Sequence, residues 1–158
     1  MFRTTAGVVV AALMVGGGVA NAATGSLTDP KGDYPDIVKL RFDNGSSKVT
    51  MTMTYAGTHP QNESFYMAWG KTGKRYQVFN SPSASIRELR YYGGTNAETK
   101  RTTCSGLRVT QPSATSTKVV IPRGCLTKAA DKLRFQGIAT EGLSSSDETK
   151  VSKAVARG

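Results

Sequence analysis

The sequence predicts an all-β domain, an antiparallel β-sandwich of about seven to eight short strands. Three observations predict this fold. Apolar side chains recur at every second position, clusters of Gly, Pro, Asn and Ser interrupt them at short intervals, and no long amphipathic helix pattern is present. Because a sheet must bury its apolar face and no helix is available to cover it, a second sheet is the simplest cover.

Residues 1–22 have the pattern of a secretory signal peptide. Arg3 supplies the positive charge, residues 6–20 form the apolar run, and Ala20-Asn21-Ala22 forms an A-x-A cleavage site. The run is shorter than the roughly 20 residues of a membrane span. We therefore expect cleavage after Ala22, a protein secreted to the medium or the cell envelope, and no transmembrane segment in the mature chain. Its net charge would be +9, since Arg3 is lost from a chain of charge +10.

The first predicted hairpin joins residues 37–42 to residues 49–55. Val49, Met51, Met53 and Tyr55 alternate with threonines, which is typical of a strand with one buried face. The segment 43–47 contains Asn-Gly, the strongest short hairpin signal.

The second hairpin follows the same logic. Phe65, Met67 and Trp69 share one strand face, glycines mark a turn at 70–74, and residues 75–79 return the chain. Further strands are predicted at 86–92, 107–111, 118–121 and 132–140. The sandwich domain is thus expected over 36–141, after a polar leader (23–35) and before a polar C-terminal tail (142–158) that is mobile or adds at most a short edge strand at its end.

The two cysteines, Cys104 and Cys125, predict one disulfide. An even count with no spare thiol is typical of an exported domain, and the two residues lack the CxxC spacing of metal or redox sites.

Three carboxylates, Asp29, Asp33 and Asp36, lie close together where the leader ends and the domain begins. Calcium takes several oxygen ligands from such Gly-bent loops, so they could converge on one ion. The alternative is that each aspartate serves turn geometry. No other cofactor is expected.

Basic and tyrosine residues crowd the middle of the chain. Basic side chains hold anionic groups and rings stack on flat ones, so the set could bind a polyanion. The alternative is a solvated basic face whose rings belong to the core. The compartment argues against nucleic acid and favours an anionic envelope polymer or a glycan. The candidate binding residues are Lys71, Lys74, Arg75, Tyr76, Arg87, Arg90, Tyr91 and Tyr92.

No catalytic residues are predicted. His59 is the single histidine, it lies in a predicted loop, and it is expected to be a solvated side chain. Glu63, Glu88, Glu98 and Glu141 lie among basic neighbours, which is typical of surface ion pairs.

Three stretches resemble small secreted actinobacterial proteins of unassigned function. Asp29-Pro30-Lys31-Gly32-Asp33 followed by Asp36-Ile37 resembles their "DPxGD…DI" opening, residues 119–126 their "PRxCL" segment, and residues 132–135 the strand that follows. The resemblance implies a secreted β-sandwich with a disulfide, and no catalytic residue.

The sequence therefore favours a non-enzymatic binding module. Two other functions remain open. The first is an inhibitor or effector that inserts the disulfide-closed segment 105–124 into an extracellular protein, and the second is an unrecognised hydrolase.

Overall fold

The computed structural model describes residues 23–30, 32, 34–143 and 145–158, and the predicted signal peptide lies outside these residues. Within them, two antiparallel sheets face each other. The five-stranded sheet has the order β1-β2-β3-β9-β8, and the six-stranded sheet has the order β11-β10-β4-β5-β6-β7. The strands are β1 (Ala23–Thr28), β2 (Ile37–Asn44), β3 (Lys48–Tyr55), β4 (Asn62–Ala68), β5 (Arg75–Ser81), β6 (Ile86–Tyr92), β7 (Thr99–Thr102), β8 (Arg108–Ser113), β9 (Ser116–Pro122), β10 (Arg134–Glu141) and β11 (Ser145–Glu148).

The predicted β-sandwich with one disulfide is confirmed. All eight predicted strand segments form strands, and three short strands add to them. β1 lies in the predicted leader and pairs with β2 from Ala23 to Thr28, so the domain begins earlier than expected. Its sequence gave little signal because Leu27 is the one large apolar residue in it. β7 is polar, and β11 lies in the predicted tail.

The core lies between the sheets and is built from the alternating positions that the sequence marks. Val49, Met51 and Met53 of β3 are fully buried, as are Phe65 and Met67 of β4. The Phe42 and Phe135 rings stack across the sheets with centroids 4.5 Å apart. A Cβ atom on Gly137 would lie 2.4 Å from the sulfur of Met53, so the two sheets approach closely there.

The disulfide between Cys104 and Cys125 is present, with Cα atoms 5.4 Å apart. Cys104 follows β7 of the six-stranded sheet, and Cys125 ends a short 3-10 helix (Arg123–Cys125) that follows β9 of the five-stranded sheet. The bond therefore joins the two sheets, and such bonds are typical of an oxidising compartment. In the described part of the chain, no helix is long and apolar enough to cross a membrane.

The C-terminal tail runs along the free side of β10. The amide of Thr149 donates to the Gly137 carbonyl (2.9 Å), and the amide of Ser152 donates to the Phe135 carbonyl (2.9 Å). Val155 exchanges backbone hydrogen bonds with Leu133, and its carbonyl accepts from Asn44 Nδ2 at 2.7 Å. The tail thus adds hydrogen bonds along most of β10, not only at its own end.

Candidate functional site

The outer face of the six-stranded sheet carries a group of arginine and aromatic side chains. Phe65 and Met67 of β4 point into the core, so Tyr66 between them points outward. The same alternation turns Arg75 and Phe79 of β5, and Arg90 and Tyr92 of β6, away from the core. We call this set the arginine–tyrosine face. Its members are Tyr66, Arg75, Phe79, Arg90, Tyr92, Arg101 and Arg134.

Strand register aligns these side chains in rows across the sheet. Arg134 of β10 and Arg75 of β5 both pair with Ala68 of β4, so two arginines flank one small residue. Neighbouring strands lie about 4.8 Å apart, which places the two arginine Cα atoms roughly 10 Å from each other. In the adjacent row, Gln136 and Gln77 flank Tyr66 in the same way.

Aromatic rings hold the guanidinium of Arg75. Its Cζ lies 4.2 Å from the ring centroid of Tyr92 and 5.7 Å from that of Tyr66. Nη1 donates to the Gly73 carbonyl at 3.3 Å. Among the described residues, neither Arg75 nor Arg134 forms an ion pair with a carboxylate. The two charges on either side of Ala68 are therefore not paired directly with a described carboxylate, and Glu148 lies beside the same region, where its Oε2 accepts from Gln136 Nε2 at 3.4 Å.

Arg90 and Arg101 differ from this pair because they share a carboxylate. Glu88 lies 2.8 Å from Arg90 Nη2 and 3.0 Å from Arg101 Nη2. Arg90 also lies over the Phe79 ring, 4.4 Å from its centroid. The uncompensated charge of the face is thus concentrated at its β10–β4–β5 side.

A depression of about 330 Å³ lies on that side of the face. Burial raises the pKa of Tyr66, which keeps its hydroxyl neutral. Arginine binds carboxylate, phosphate and sulfate groups with paired hydrogen bonds, and a tyrosine ring offers a flat apolar surface beside them. The lining suits an anionic ligand with an apolar face. It consists of Tyr66, Ala68, Gly73, Arg75, Arg134, Gln136, Ile138 and Val151.

The structure divides the predicted polyanion-binding residues into four groups. Arg75, Arg90 and Tyr92 lie on the arginine–tyrosine face, and Lys71 and Lys74 are exposed in and beside the turn that precedes β5.

Tyr76 and Tyr91 point inward and pack with Trp69, with ring centroids 5.6 and 6.2 Å from the indole. Arg87 is exposed near Asn80, at the opposite end of β6 from Tyr92. Tyr76 and Tyr91 therefore belong to the core, which was the alternative to polyanion binding, because they lie on the same inward face as Val78 and Leu89.

Sequence reasoning missed Tyr66, Phe79, Arg134 and Gln136. The sequence carries a signal for Tyr66, because Phe65 and Met67 lie on the predicted buried face of the strand and the residue between them must point outward. Arg134 and Gln136 had no such signal, since only the pairing of β10 with β4 brings them beside Tyr66.

A second polar cluster lies buried around Glu63. Tyr55 and Thr117 donate to its Oε1 at 2.6 and 2.5 Å, and Asn80 donates to its Oε2 at 2.5 Å. Burial, followed by the charge of Glu63, raises the pKa of Tyr55, so the phenol keeps its proton and donates. Since Glu63 is 1% exposed, the prediction of a surface ion pair for it is wrong. Glu63 points inward, like Phe65 in the same strand, and its carboxylate accepts hydrogen bonds from three donors.

His59 belongs to the same cluster. Its Nδ1 lies 3.1 Å from Thr117 Oγ1 and 3.7 Å from Glu63 Oε1, and its Nε2 donates to the Ser113 carbonyl at 3.1 Å. The side chain is 17% exposed, so the expectation of a solvated histidine is also wrong.

The predicted calcium ligands Asp29 and Asp36 flank the β1–β2 connection, and Asp33 lies outside the described residues. Asp29 is partly exposed, whereas Asp36 is buried. No three His, Cys, Asp or Glu side chains in the described ranges form a metal centre by themselves.

Comparison of the chain with protein-family models, curated proteins and solved structures found no match.

Proposed function

We propose that the chain is a secreted, non-enzymatic binding module that engages an anionic polymer or glycan of the cell envelope through its arginine–tyrosine face. The observation that carries the proposal is the row in which Arg134 and Arg75 flank Ala68, with no described carboxylate paired to either arginine. Tyr66 lies in the next row and adds a ring to the same depression.

The charge of the whole chain supports an anionic ligand. Twenty-one lysines and arginines face eleven aspartates and glutamates, which gives a net charge of +10. Such an excess attracts a negatively charged partner over several ångströms and raises its association rate. The local pair of arginines would then supply directed hydrogen bonds to carboxylate, phosphate or sulfate groups.

The shape of the face supports an extended ligand. Its residues lie on five adjacent strands, β10, β4, β5, β6 and β7. At about 4.8 Å per strand, the face is roughly 19 Å wide. A polymer with repeated negative charges could contact several arginines at once, whereas a small ion would contact one or two.

The alternative of an inhibitor that inserts the segment 105–124 has less support. Most of that segment forms β8 and β9 within the five-stranded sheet, and a short turn between Ser113 and Ser116 joins the two strands.

The experiment measures binding to immobilised polygalacturonate and polyphosphate, with neutral dextran as the uncharged polymer. The test variant is Arg75→Gln/Arg134→Gln. If each arginine contributes a charge-assisted contact of about 1.5 kcal/mol, affinity falls about 100-fold. Binding by the unaltered protein should also weaken as salt rises, because mobile ions screen exposed charges.

The matched control is Arg41→Gln/Arg108→Gln, which removes the same charge from exposed positions on the five-stranded sheet. It should retain affinity within about twofold, since rim charges act mainly on the association rate. Equal losses in the two double variants would reduce the effect to net charge and refute the assignment of the face. Binding that is insensitive to salt, or equally strong on dextran, would also refute it.

A further inference from the structure

The depression on the arginine–tyrosine face lies between the C-terminal tail on one side and β5 on the other. Its lining includes outward side chains of β10 and β4, and Val151 of the tail lies at its edge. From the tail to β5 there are three strand spacings of about 4.8 Å, so the depression is roughly 14 Å across. It is therefore wide enough for a ring of a polymer, and not only for an isolated anionic group.

The depression exposes more apolar surface than an anion needs. Tyr66, Ile138 and Val151 all line it. Val151 is 52% exposed and is one of three large hydrophobic side chains that are exposed in the described part of the chain. Apolar side chains grouped in a depression are typical of ligand sites, where they cover the apolar part of the ligand. The ligand that fits this site therefore carries an apolar face as well as negative charge.

Gln136 adds a hydrogen-bond acceptor to the lining. Its Nε2 donates to the carbonyl of Thr149 at 3.2 Å and to Glu148 Oε2 at 3.4 Å, and these two bonds orient the amide. No donor within the described part of the chain bonds to Gln136 Oε1. The amide oxygen therefore remains available to a ligand that can donate a hydrogen bond.

Gln77, on the other side of Tyr66, differs from Gln136 in this respect. Gln77 Nε2 donates to Ser64 Oγ at 2.8 Å, and its Oε1 accepts from the Tyr92 hydroxyl at 2.6 Å. Both ends of that amide are thus used within the protein, and Gln77 is buried. Gln136 is half-buried and lines the depression, so it is the amide that a ligand can reach.

This set of groups distinguishes between anionic polymers. Arg75 and Arg134 donate to negative groups, whereas Gln136 Oε1 and the exposed carboxylate of Glu148 only accept. At neutral pH the chain oxygens of a polyphosphate also only accept, so a polyphosphate satisfies the arginines but is repelled by Glu148. A sugar that carries a carboxylate has a negative group, hydroxyl donors and ring faces covered with C–H groups. The acidic sugar therefore matches all three kinds of group in the lining, and the polyphosphate matches one.

We propose that the depression binds a uronate residue of an acidic polysaccharide. The carboxylate of the sugar pairs with the arginines on either side of Ala68. Its hydroxyls donate to Gln136 Oε1, and one face of its ring packs on Tyr66 and Val151. This inference rests on the proposed function and narrows it from anionic polymers in general to acidic sugars. Gln136 and Tyr66 then determine specificity, whereas the arginines attract either kind of anion.

The experiment compares the affinity of variants for oligogalacturonate and for polyphosphate of similar chain length, by titration calorimetry at about 0.15 M salt. Tyr66→Thr removes the ring and keeps a residue suited to a strand. Gln136→Met removes the acceptor and keeps the length of the side chain. Each variant should bind oligogalacturonate about five- to tenfold more weakly. Each should bind polyphosphate within about twofold of the unaltered protein, since both arginines remain.

The matched control is Gln111→Met, which makes the same replacement at an exposed position of β8 on the other sheet. It should keep both affinities within about twofold. Equal losses for the two ligands in Tyr66→Thr and Gln136→Met, or no loss for oligogalacturonate, would overturn the uronate assignment. The proposed function would still stand in that case if Arg75→Gln/Arg134→Gln weakened the binding of both ligands. Failure of the unaltered protein to bind either ligand would refute both proposals.

Discussion

Replacing Glu63 with glutamine tests whether the buried carboxylate is held by its donors or merely tolerated. The substitution keeps the size of the side chain and removes the charge. In the structure, Oε1 accepts from both Tyr55 and Thr117, and Oε2 accepts from Asn80. A glutamine can place its oxygen at the first position, but its amide nitrogen then meets the Asn80 nitrogen at a donor–donor contact.

The cost follows from these contacts. Two charge-assisted hydrogen bonds become neutral ones, at about 1 kcal/mol each, and the contact with Asn80 adds about 1–3 kcal/mol for an unsatisfied buried donor. Relief of the buried charge offsets part of this sum. We therefore expect Glu63→Gln to lower the free energy of unfolding by about 2–4 kcal/mol, a large share of a typical domain's stability.

Urea unfolding followed by tryptophan fluorescence measures the change. Trp69 is the one tryptophan in the chain and is buried beside Tyr76, so its emission reports on the core. Glu98→Gln is the matched control, because Glu98 is exposed and its substitution should cost no more than about 0.5 kcal/mol. Asn80→Ala should cost less in the Glu63→Gln background than alone, since it removes the donor–donor contact. Equal stability of Glu63→Gln and the unaltered protein would refute the reasoning.

Three further predictions concern stability. Because the pKa of Tyr55 is raised above 10.0 in the folded state, the unfolded chain loses this proton first as the pH rises. The free energy of unfolding should therefore fall above about pH 10, by up to about 1.4 kcal/mol per pH unit. Tyr55→Phe should flatten that fall, as measured by urea midpoints across this pH range. Cys104→Ser/Cys125→Ser should lower the free energy of unfolding by about 3 kcal/mol relative to the oxidised protein, because the disulfide closes a loop with a sequence separation of 21. An unchanged urea midpoint would contradict this expectation. Gly137→Ala should cost about 1–3 kcal/mol, because its Cβ would press on Met53 between the sheets, whereas Gly124→Ala, with no atom within 4 Å of its Cβ, should be neutral in the same assay.

Much of the fold could be predicted from local pattern. The threonine alternation of β3 and the apolar alternation of β4 fix both the strands and their buried faces. The glycines of the β4–β5 turn adopt positive φ angles, +67° at Gly70 and +72° at Gly73, which suits the turn that the sequence marks. β1, β7 and β11 were missed because their residues are small or polar and carry little periodicity.

The candidate sites were less predictable because they depend on strand pairing. Composition drew attention to the basic middle of the chain, but it did not separate Arg75, which faces outward, from Tyr76, which is buried. Arg134 lies beside Tyr66, and Asp147 beside the Ile37 amide, only through sheet register and the path of the tail. Long-range pairing of this kind cannot be read from periodicity in one sequence.

The course of residues 149–155 beside β10 has a consequence for self-association. An uncovered strand at the margin of a sheet is a template on which another molecule can add its own strand, and long margins of this kind promote aggregation. The amides and carbonyls of Phe135 and Gly137 are occupied by Ser152 and Thr149, partly through side-chain hydroxyls. This irregular pairing leaves no straight ladder for a foreign strand to extend, so a chain shortened before Thr149 should become prone to form fibrous or amorphous deposits.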